Sequence, residues 1–284
     1  MSSNSTPYYF VPGLSRHPAM AALGLIAFGA GMSGWVNHTS WGGAMALAGV
    51  AWILFVLYNW FGDTIAESNS GKNGINVDVS YRWSMAWFIF SEIMFFGAFF
   101  AALFYARNIA MPWMGDVESK LIWPNFTAVW PNAGPAGLVP KFETMGPWPI
   151  PTINTFLLLS SGVSITYAHH ALVQNHMKQA IIGLATTVGL GFVFLCFQGF
   201  EYYHAYHELN LKLTSGMYGS TFFMLTGFHG FHVTLGTIML IVILIRCMKG
   251  HFTPEHHFGF EGVAWYWHFV YVVWLGLFIF VYWL

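Results

Sequence analysis

The chain has 284 residues, of which only 7% are charged, 56% are apolar and 19% are aromatic. A soluble domain usually carries about 25% charged residues, so this composition excludes an ordinary soluble protein and indicates a membrane protein. The formal net charge of −1 argues against a nucleic-acid partner, because nucleic-acid binding needs a basic patch.

Seven apolar stretches are each long enough to cross a bilayer as a helix, which takes about 20 residues. In chain order, the predicted spans are Pro18–Val36, Trp41–Phe61, Arg82–Ala106, Thr152–His170, Lys178–Tyr203, Ser215–Cys247 and Phe258–Trp283. The first is soon followed by a second, so we interpret it as a retained helix rather than a signal peptide. The sequence therefore predicts an all-α membrane protein with seven transmembrane helices.

Two connections between the spans are unusual in length or composition. Asp63–Tyr81 is polar and contains SNSGKNG, which is typical of a flexible linker. We therefore predict two parts, residues 1–70 with the first two helices and residues 71–284 with a five-helix bundle. The second connection, at about residues 107–151, is rich in Pro, Trp and Gly, and a loop of that length is often functional.

Basic residues in the connections predict the orientation of the chain in the membrane. With the N-terminus inside, six of them lie on the inner side and four on the outer side. The inner six are Arg16, Lys72, Arg82, Lys178, Arg246 and Lys249. This bias predicts a cytoplasmic N-terminus and, after seven spans, a C-terminus on the outer side.

Glu92 is the charged residue that lies deepest in a predicted span. It sits in the run FIFSEIMFFGAFFAALF, roughly 10–15 Å inside the third helix at about 1.5 Å per residue. A carboxylate there costs several kcal/mol unless it is neutral, paired or hydrated. Glu92 is thus a candidate for a proton, ion or lipid-headgroup site, or for a transport site. The alternative is a neutral glutamic acid bonded to a neighbouring helix.

The 13 histidines raise the alternative of an autonomous membrane metalloenzyme. His229 and His232 are three residues apart in GFHGFH and share a helix face, as two ligands of a metal or haem would. The predicted topology, however, scatters the histidines over both surfaces and the middle of the membrane. Only Glu201 with His204 matches the E-x-x-H pattern of di-iron bundles. We therefore predict no metal site and no catalytic residue on this chain.

Several segments together resemble subunit III of the haem–copper cytochrome c oxidases of the aa3 type. They are, in the order of that family, WFGDTIAES, SEIMFFGAFF, NTFLLLSSGVSITYAHHAL, EYYHA, GMYGSTFFMLTGFHGFHVTLGT and HHFGFEGVAWYWHFVYVVWL. Each piece alone is weak, but jointly they span nearly the whole chain. The related quinol-oxidase subunits, which are the alternative within this superfamily, typically lack the first two helices that this chain has.

The resemblance implies that helices 1–2 and helices 3–7 form a V with a lipid-filled cleft. It implies a non-catalytic core subunit of a proton-pumping oxidase, which supports proton uptake and the stability of the oxygen-reducing site in subunit I. Haem a, haem a3 and copper would then lie in partner subunits I and II, with cytochrome c as the substrate of the complex. The outer loop at about residues 107–151 is longer than in mitochondrial members of the family, which indicates a bacterial enzyme of the inner (plasma) membrane. The outer side of that membrane is the periplasm, so the C-terminus would be periplasmic.

The resemblance also carries residue roles to positions of this sequence. Glu92 is similar to the family's buried carboxylate of the third helix. The residues that resemble those facing phospholipid headgroups are Glu67, His232, Arg246 and Lys249. Two positions depart from the family: Tyr271 stands where members usually have Asp, and Ala66 stands where some have Arg. At residue 271 a phenol therefore replaces an acidic group, and at residue 66 one headgroup contact is expected to be weaker.

Overall fold

The computed structural model describes residues 9–135 and 139–284, and over this part of the chain the regular structure is entirely helical. The helices are α1 (His17–Val36), α2 (Gly42–Asn69), α3 (Ile75–Tyr105), α4 (Val117–Ile122), α5 (Ile150–Val173), α6 (Met177–His207), α7 (Gly216–Met248) and α8 (Phe258–Leu277). Helix α3 continues through a π-helical turn, Ala106–Ala110, into the short helix Met111–Trp113. Helix α8 continues as the π-helical segment Phe278–Trp283.

Seven helical segments of the described chain are long and apolar enough to cross a membrane. They comprise every helix above except the short α4. The prediction of an all-α, multi-pass membrane protein with seven spans is thus confirmed, although several helices extend past the predicted ends.

Most of the segment Asp63–Tyr81, which we predicted to be a flexible linker, is helical, so that prediction is wrong. Helix α2 continues to Asn69 and α3 begins at Ile75, which leaves only residues 70–74 outside a helix. The reason is that polar residues end the apolar span without ending the helix, whose backbone bonds do not require apolar side chains. Just beyond α2, Gly71 adopts a φ of +70°, a conformation that glycine reaches without steric cost.

The connection between the third and fourth spans is partly helical and shorter than the loop predicted at residues 107–151. The extension of α3 reaches Trp113, and α4 follows shortly after. Part of the remainder packs on the start of α7, where the backbone N–H of Tyr218 donates to the carbonyl oxygen of Asn132 at 3.3 Å. The ring of Phe142 stacks on that of Tyr218 at a centroid distance of 5.9 Å.

Contacts between residues group the chain into two units, of which the first ends at Tyr81 and the second is Arg82–Leu284. In the first unit, α1 and α2 form an antiparallel hairpin whose backbones touch at glycines. A Cβ atom built on Gly31 would lie only 2.2 Å from the backbone nitrogen of Ala46. Small residues permit such close approach of helices in lipid, where dispersion contacts drive association.

The second unit is a helical bundle with two fully buried tryptophans on α8, Trp267 and Trp274. The Nε1 atom of Trp267 donates to the hydroxyl of Ser161, and that of Trp274 donates to the hydroxyl of Thr155, each at 2.9 Å. A buried indole N–H needs a hydrogen-bond partner. These two bonds therefore fix how α8 is rotated against α5, the helix that carries both hydroxyl groups.

Candidate functional site

The predicted buried carboxylate, Glu92 on α3, contacts His232 on α7. Its Oε2 atom lies 2.9 Å from Nε2 of His232, and the two side chains are 20% and 9% exposed, respectively. The two residues are 140 positions apart in the chain. The fold therefore joins two residues to which the sequence analysis assigns separate roles.

The hydrogen bond of the second ring nitrogen of His232, Nδ1, determines how many hydrogen atoms lie in this contact. Nδ1 lies 2.6 Å from the backbone carbonyl oxygen of Phe228, an atom that can only accept, so Nδ1 carries a hydrogen. Nε2 then either accepts a hydrogen from a neutral Glu92 or, in an imidazolium, donates one to a carboxylate. In both arrangements the pair holds a single proton between Nε2 and Oε2.

Aromatic rings surround this pair. The ring of Phe96 lies 4.9 Å from that of His232, and the rings of Tyr266 and Phe269 lie at 6.4 and 6.5 Å. In such apolar surroundings a hydrogen bond is strong and an unpaired polar atom is costly. Pairing with His232 thus explains how α3 tolerates an acidic residue within its span.

Arg246 and Lys249, two residues that resemble headgroup-facing positions, lie at the C-terminal end of α7. The guanidinium of Arg246 lies over the ring of Phe252, 4.4 Å from its centroid, in a cation–π contact. Partial burial, together with the positive charges of Arg246 and Lys249, lowers the pKa of His251. This end of α7 is therefore a region of positive potential, which favours anionic groups such as lipid phosphates.

Glu67 and Tyr271 lie in different units. Glu67 is half-buried near the C-terminal end of α2, beside the exposed Ala66. Tyr271 packs on α5 at Gly162, where an added Cβ atom would lie 2.8 Å from its Cε1 atom. The position of the Tyr271 ring therefore depends on the glycine opposite it.

In the part of the chain that the structure describes, no three His, Cys, Asp or Glu residues are placed to hold a metal ion. His229 shares α7 with His232 but is fully buried, and its Nε2 atom lies 3.1 Å from the carbonyl oxygen of Val270. His204 pairs with the exposed Glu208, with 2.9 Å between Nδ1 and Oε2. The two histidines of GFHGFH thus bind different groups, Val270 in one case and Glu92 in the other. His204 is paired with Glu208, which is not the glutamate of the E-x-x-H pattern.

A second buried carboxylate is Glu201 on α6, a residue that the sequence indicates only as the partner of His204 in the E-x-x-H pattern. Glu201 is fully buried and accepts a hydrogen bond from the hydroxyl of Tyr282. A helix-face pattern could have found it, since Phe194 and Gln198 precede it by seven and three residues and share its buried face. The polar run EYYHAYHE that begins at Glu201 hides this pattern.

These observations define a class of protein: an all-α, multi-pass membrane protein whose intramembrane carboxyl groups bond to other side chains of the same bundle. Comparison with known proteins then identifies the family. The family model described as cytochrome c oxidase subunit III matches residues 6–284. The chain belongs to the cytochrome c oxidase subunit III family.

Individual relatives agree with this assignment. The chain is 42% identical over 269 residues to cytochrome c oxidase subunit 3 of Marchantia polymorpha, with 94% of this chain and 92% of the relative covered. It is 42% identical over 264 residues to the Arabidopsis thaliana protein of the same name, with 92% and 91% covered. Identity to the Hippopotamus amphibius protein is 38% over 269 residues, with 94% of each covered.

Family membership confirms the resemblance seen in the sequence. The chain is a non-catalytic subunit III of a cytochrome c oxidase and has no catalytic centre of its own within that proton-translocating complex. This conclusion is favoured over the quinol-oxidase subunit and the autonomous metalloenzyme considered above.

Proposed function

We propose that this chain supports the oxygen-reducing subunit I of its oxidase, by sustaining proton uptake and by slowing inactivation of that site during turnover. The match of residues 6–284 to the subunit III family carries this proposal. Glu92, the acidic residue predicted deepest in a span, bonds to His232 of the same chain. A subunit built in this way acts through packing and through the lipids it holds.

The proposed partners follow from the same membership. Subunit I is the main contact and subunit II completes the complex, with haem a, haem a3 and copper in those two subunits and cytochrome c as the electron donor.

The proposed location is a bacterial plasma membrane, with a cytoplasmic N-terminus and a periplasmic C-terminus. An odd number of crossings, such as the seven candidate spans of the described chain, would leave the two termini on opposite sides. The basic residues of the connections favour a cytoplasmic N-terminus. The division into residues 1–70 and 71–284, and the V of helices with lipid in its cleft, stay predictions.

We also propose that phospholipid headgroups bind at Arg246 and Lys249, with Glu67 and His232 as further headgroup contacts. The two basic side chains at the end of α7, whose positive charges add to burial in lowering the pKa of His251, support an anionic ligand there. An apolar groove between α3 and α8, lined by side chains such as Ile93, supports binding of acyl chains in the same unit. His232 would then contact a lipid headgroup with the same imidazole ring that is hydrogen-bonded to Glu92.

The support role is tested by comparing the oxidase purified in mild detergent with and without this chain. We expect the initial activity and the haem spectrum to be retained, because the redox centres lie in other subunits. Proton uptake should slow, or activity should be lost after fewer turnovers, and adding the purified chain back should restore it. An unchanged working life together with unchanged proton uptake would contradict the proposal.

A further inference from the structure

A second group of polar side chains lies inside the bundle, separate from the pair of Glu92 and His232. It comprises Asn154 on α5 with Gln198 and Glu201 on α6, which are 0%, 5% and 0% exposed. Such residues are seldom fully buried in proteins unless they are bonded. The proposed role of the chain does not account for these three side chains, so their burial needs a separate explanation.

Glu201 has a partner for only one of its two oxygen atoms. The hydroxyl of Tyr282 donates to Oε1, whereas Oε2 is buried without a hydrogen-bond partner among the described residues. None of the ion pairs in the described chain involves Glu201. Taking a carboxylate out of water without a cation is costly, so a buried group in this position is stabilised by holding a proton.

The two amide side chains make no hydrogen bond of ordinary length among the described residues. Gln198 lies one helical turn before Glu201 on the same face and approaches its carboxyl group. Neither Nε2 nor Oε1 of Gln198 reaches hydrogen-bonding geometry with any described residue. The same holds for Nδ2 and Oδ1 of Asn154. With Oε2 of Glu201, these atoms make five buried polar atoms that form no close hydrogen bond with any described residue.

The packing of α5 on α6 places Asn154 near the level of Gln198. The hydroxyl of Ser164 donates to the carbonyl oxygen of Gly183 at 2.7 Å, and Ala168 also packs against Gly183. Ser164 and Ala168 of α5 are thus level with Gly183 of α6, and the two helices are antiparallel. Moving back along α5 to Asn154 therefore corresponds to moving forward along α6, to residues 193–197. Asn154 thus lies within about one helical turn of Gln198 along the axis.

The energetic cost of these unpaired atoms argues for a ligand at this group. Each buried polar atom without a hydrogen bond costs about 1–3 kcal/mol, and five such atoms would use up much of the stability of an ordinary domain. Buried water molecules remove this cost, since each typically makes about three hydrogen bonds to otherwise unpaired groups. Amides and a carboxyl group together offer both donors and acceptors to water.

We propose that Asn154, Gln198 and Glu201 enclose a small cluster of bound water molecules, in which Glu201 is a neutral carboxylic acid. Its proton bonds to one of these water molecules, while its other oxygen accepts from Tyr282. The site is a buried water and proton site in the subunit III bundle, distinct from Glu92 and His232.

Infrared spectroscopy of the intact oxidase complex tests the protonation of Glu201. A neutral carboxylic acid has a carbonyl stretching band above the amide I band, and this band moves to lower frequency in D2O. The substitution Glu201→Gln keeps the size of the side chain, and we expect it to remove one such band. Glu208→Gln is the matched control, because Glu208 lies near the same helix end but is exposed, and it should leave the bands unchanged.

A high-resolution structure of the unmodified complex tests the water cluster without any substitution. We expect density for at least two water molecules, within hydrogen-bond distance of Oε2 of Glu201 and of the amides of Gln198 and Asn154. Unchanged carboxylic-acid bands in a correctly assembled Glu201→Gln complex would overturn the protonation. Resolved side chains with no water between them would overturn the cluster, even if the support role of the subunit is correct.

Discussion

At the scale of single residues, Glu92 shows how one acidic group is accommodated within a membrane span. The sequence marks it because apolar residues flank it on both sides. Its partner could not be read from the sequence, since His232 lies 140 positions away and the chain has 13 histidines. The pairing depends on how α3 and α7 pack.

The hydrogen bond to His232 leads to a prediction about substitutions at Glu92. Glu92→Ala should destabilise the chain by about 1–3 kcal/mol, because it leaves Nε2 of His232 without its partner in apolar surroundings. Glu92→Gln should cost less, because its amide can still bond to the imidazole. The measurement is the thermal midpoint of the purified complex, and its optical spectrum should show the haem signals unchanged.

Ser91→Ala serves as the control for this series, because Ser91 is exposed and its hydroxyl donates only to the carbonyl oxygen of Phe88. It should shift the thermal midpoint little. Equal losses for Glu92→Ala and Glu92→Gln would show that the bond to His232 does not stabilise the chain. A shifted haem signal would argue against a purely structural position for Glu92.

The charges at the end of α7 lead to a prediction about lipid retention. The double substitution Arg246→Gln with Lys249→Gln should lower the amount of anionic phospholipid that co-purifies with the complex, roughly by one bound lipid. Each basic residue near the surface contributes about 1 kcal/mol to the attraction of anionic lipid. Mass spectrometry of the extracted lipids provides the measurement.

Lys178→Gln is the matched control for lipid retention, since Lys178 is an exposed basic residue at the start of α6. It should leave the lipid content unchanged. Equal lipid loss in the control and in the double variant would indicate a general effect of surface charge. The site at Arg246 and Lys249 would then not be specific.

At the scale of elements, the hairpin of α1 and α2 is held by backbone contact at glycines. Gly31 faces the backbone of Ala46, whereas Gly29, two positions earlier, has nothing within 4 Å of the position that a Cβ would take. The amino-acid sequence shows several glycines in this helix but does not tell which of them meets the neighbouring helix. The hairpin packing makes that distinction.

Gly31→Ala and Gly29→Ala should therefore change stability in opposite directions. A methyl group at Gly31 would overpack the hairpin and should cost about 1–3 kcal/mol. At Gly29 the same change should stabilise the helix by about 0.5–1 kcal/mol, because alanine loses less entropy on helix formation. Thermal midpoints of the two purified variants measure this difference, and equal shifts would disprove the close contact at Gly31.

At the scale of the whole molecule, apolar length alone predicts the seven spans, because a bilayer requires about 20 apolar residues for each crossing. The same criterion misplaces the ends of helices that continue into water. The predicted linker after Asp63 is therefore mostly helix, and α3 extends to Trp113. Polar composition marks where the membrane ends, and it does not mark where the backbone hydrogen bonds end.

The sequence by itself determined the fold class, the number of spans and the family, and it singled out Glu92 as a buried carboxylate, because these depend on composition, apolar length and local motifs. Only the tertiary structure decided that Glu92 holds His232, that Glu201 is fully buried, and that Tyr271 packs at Gly162. The physical reason is that each of these contacts depends on the rotation and level of two packed helices, which no single helix specifies.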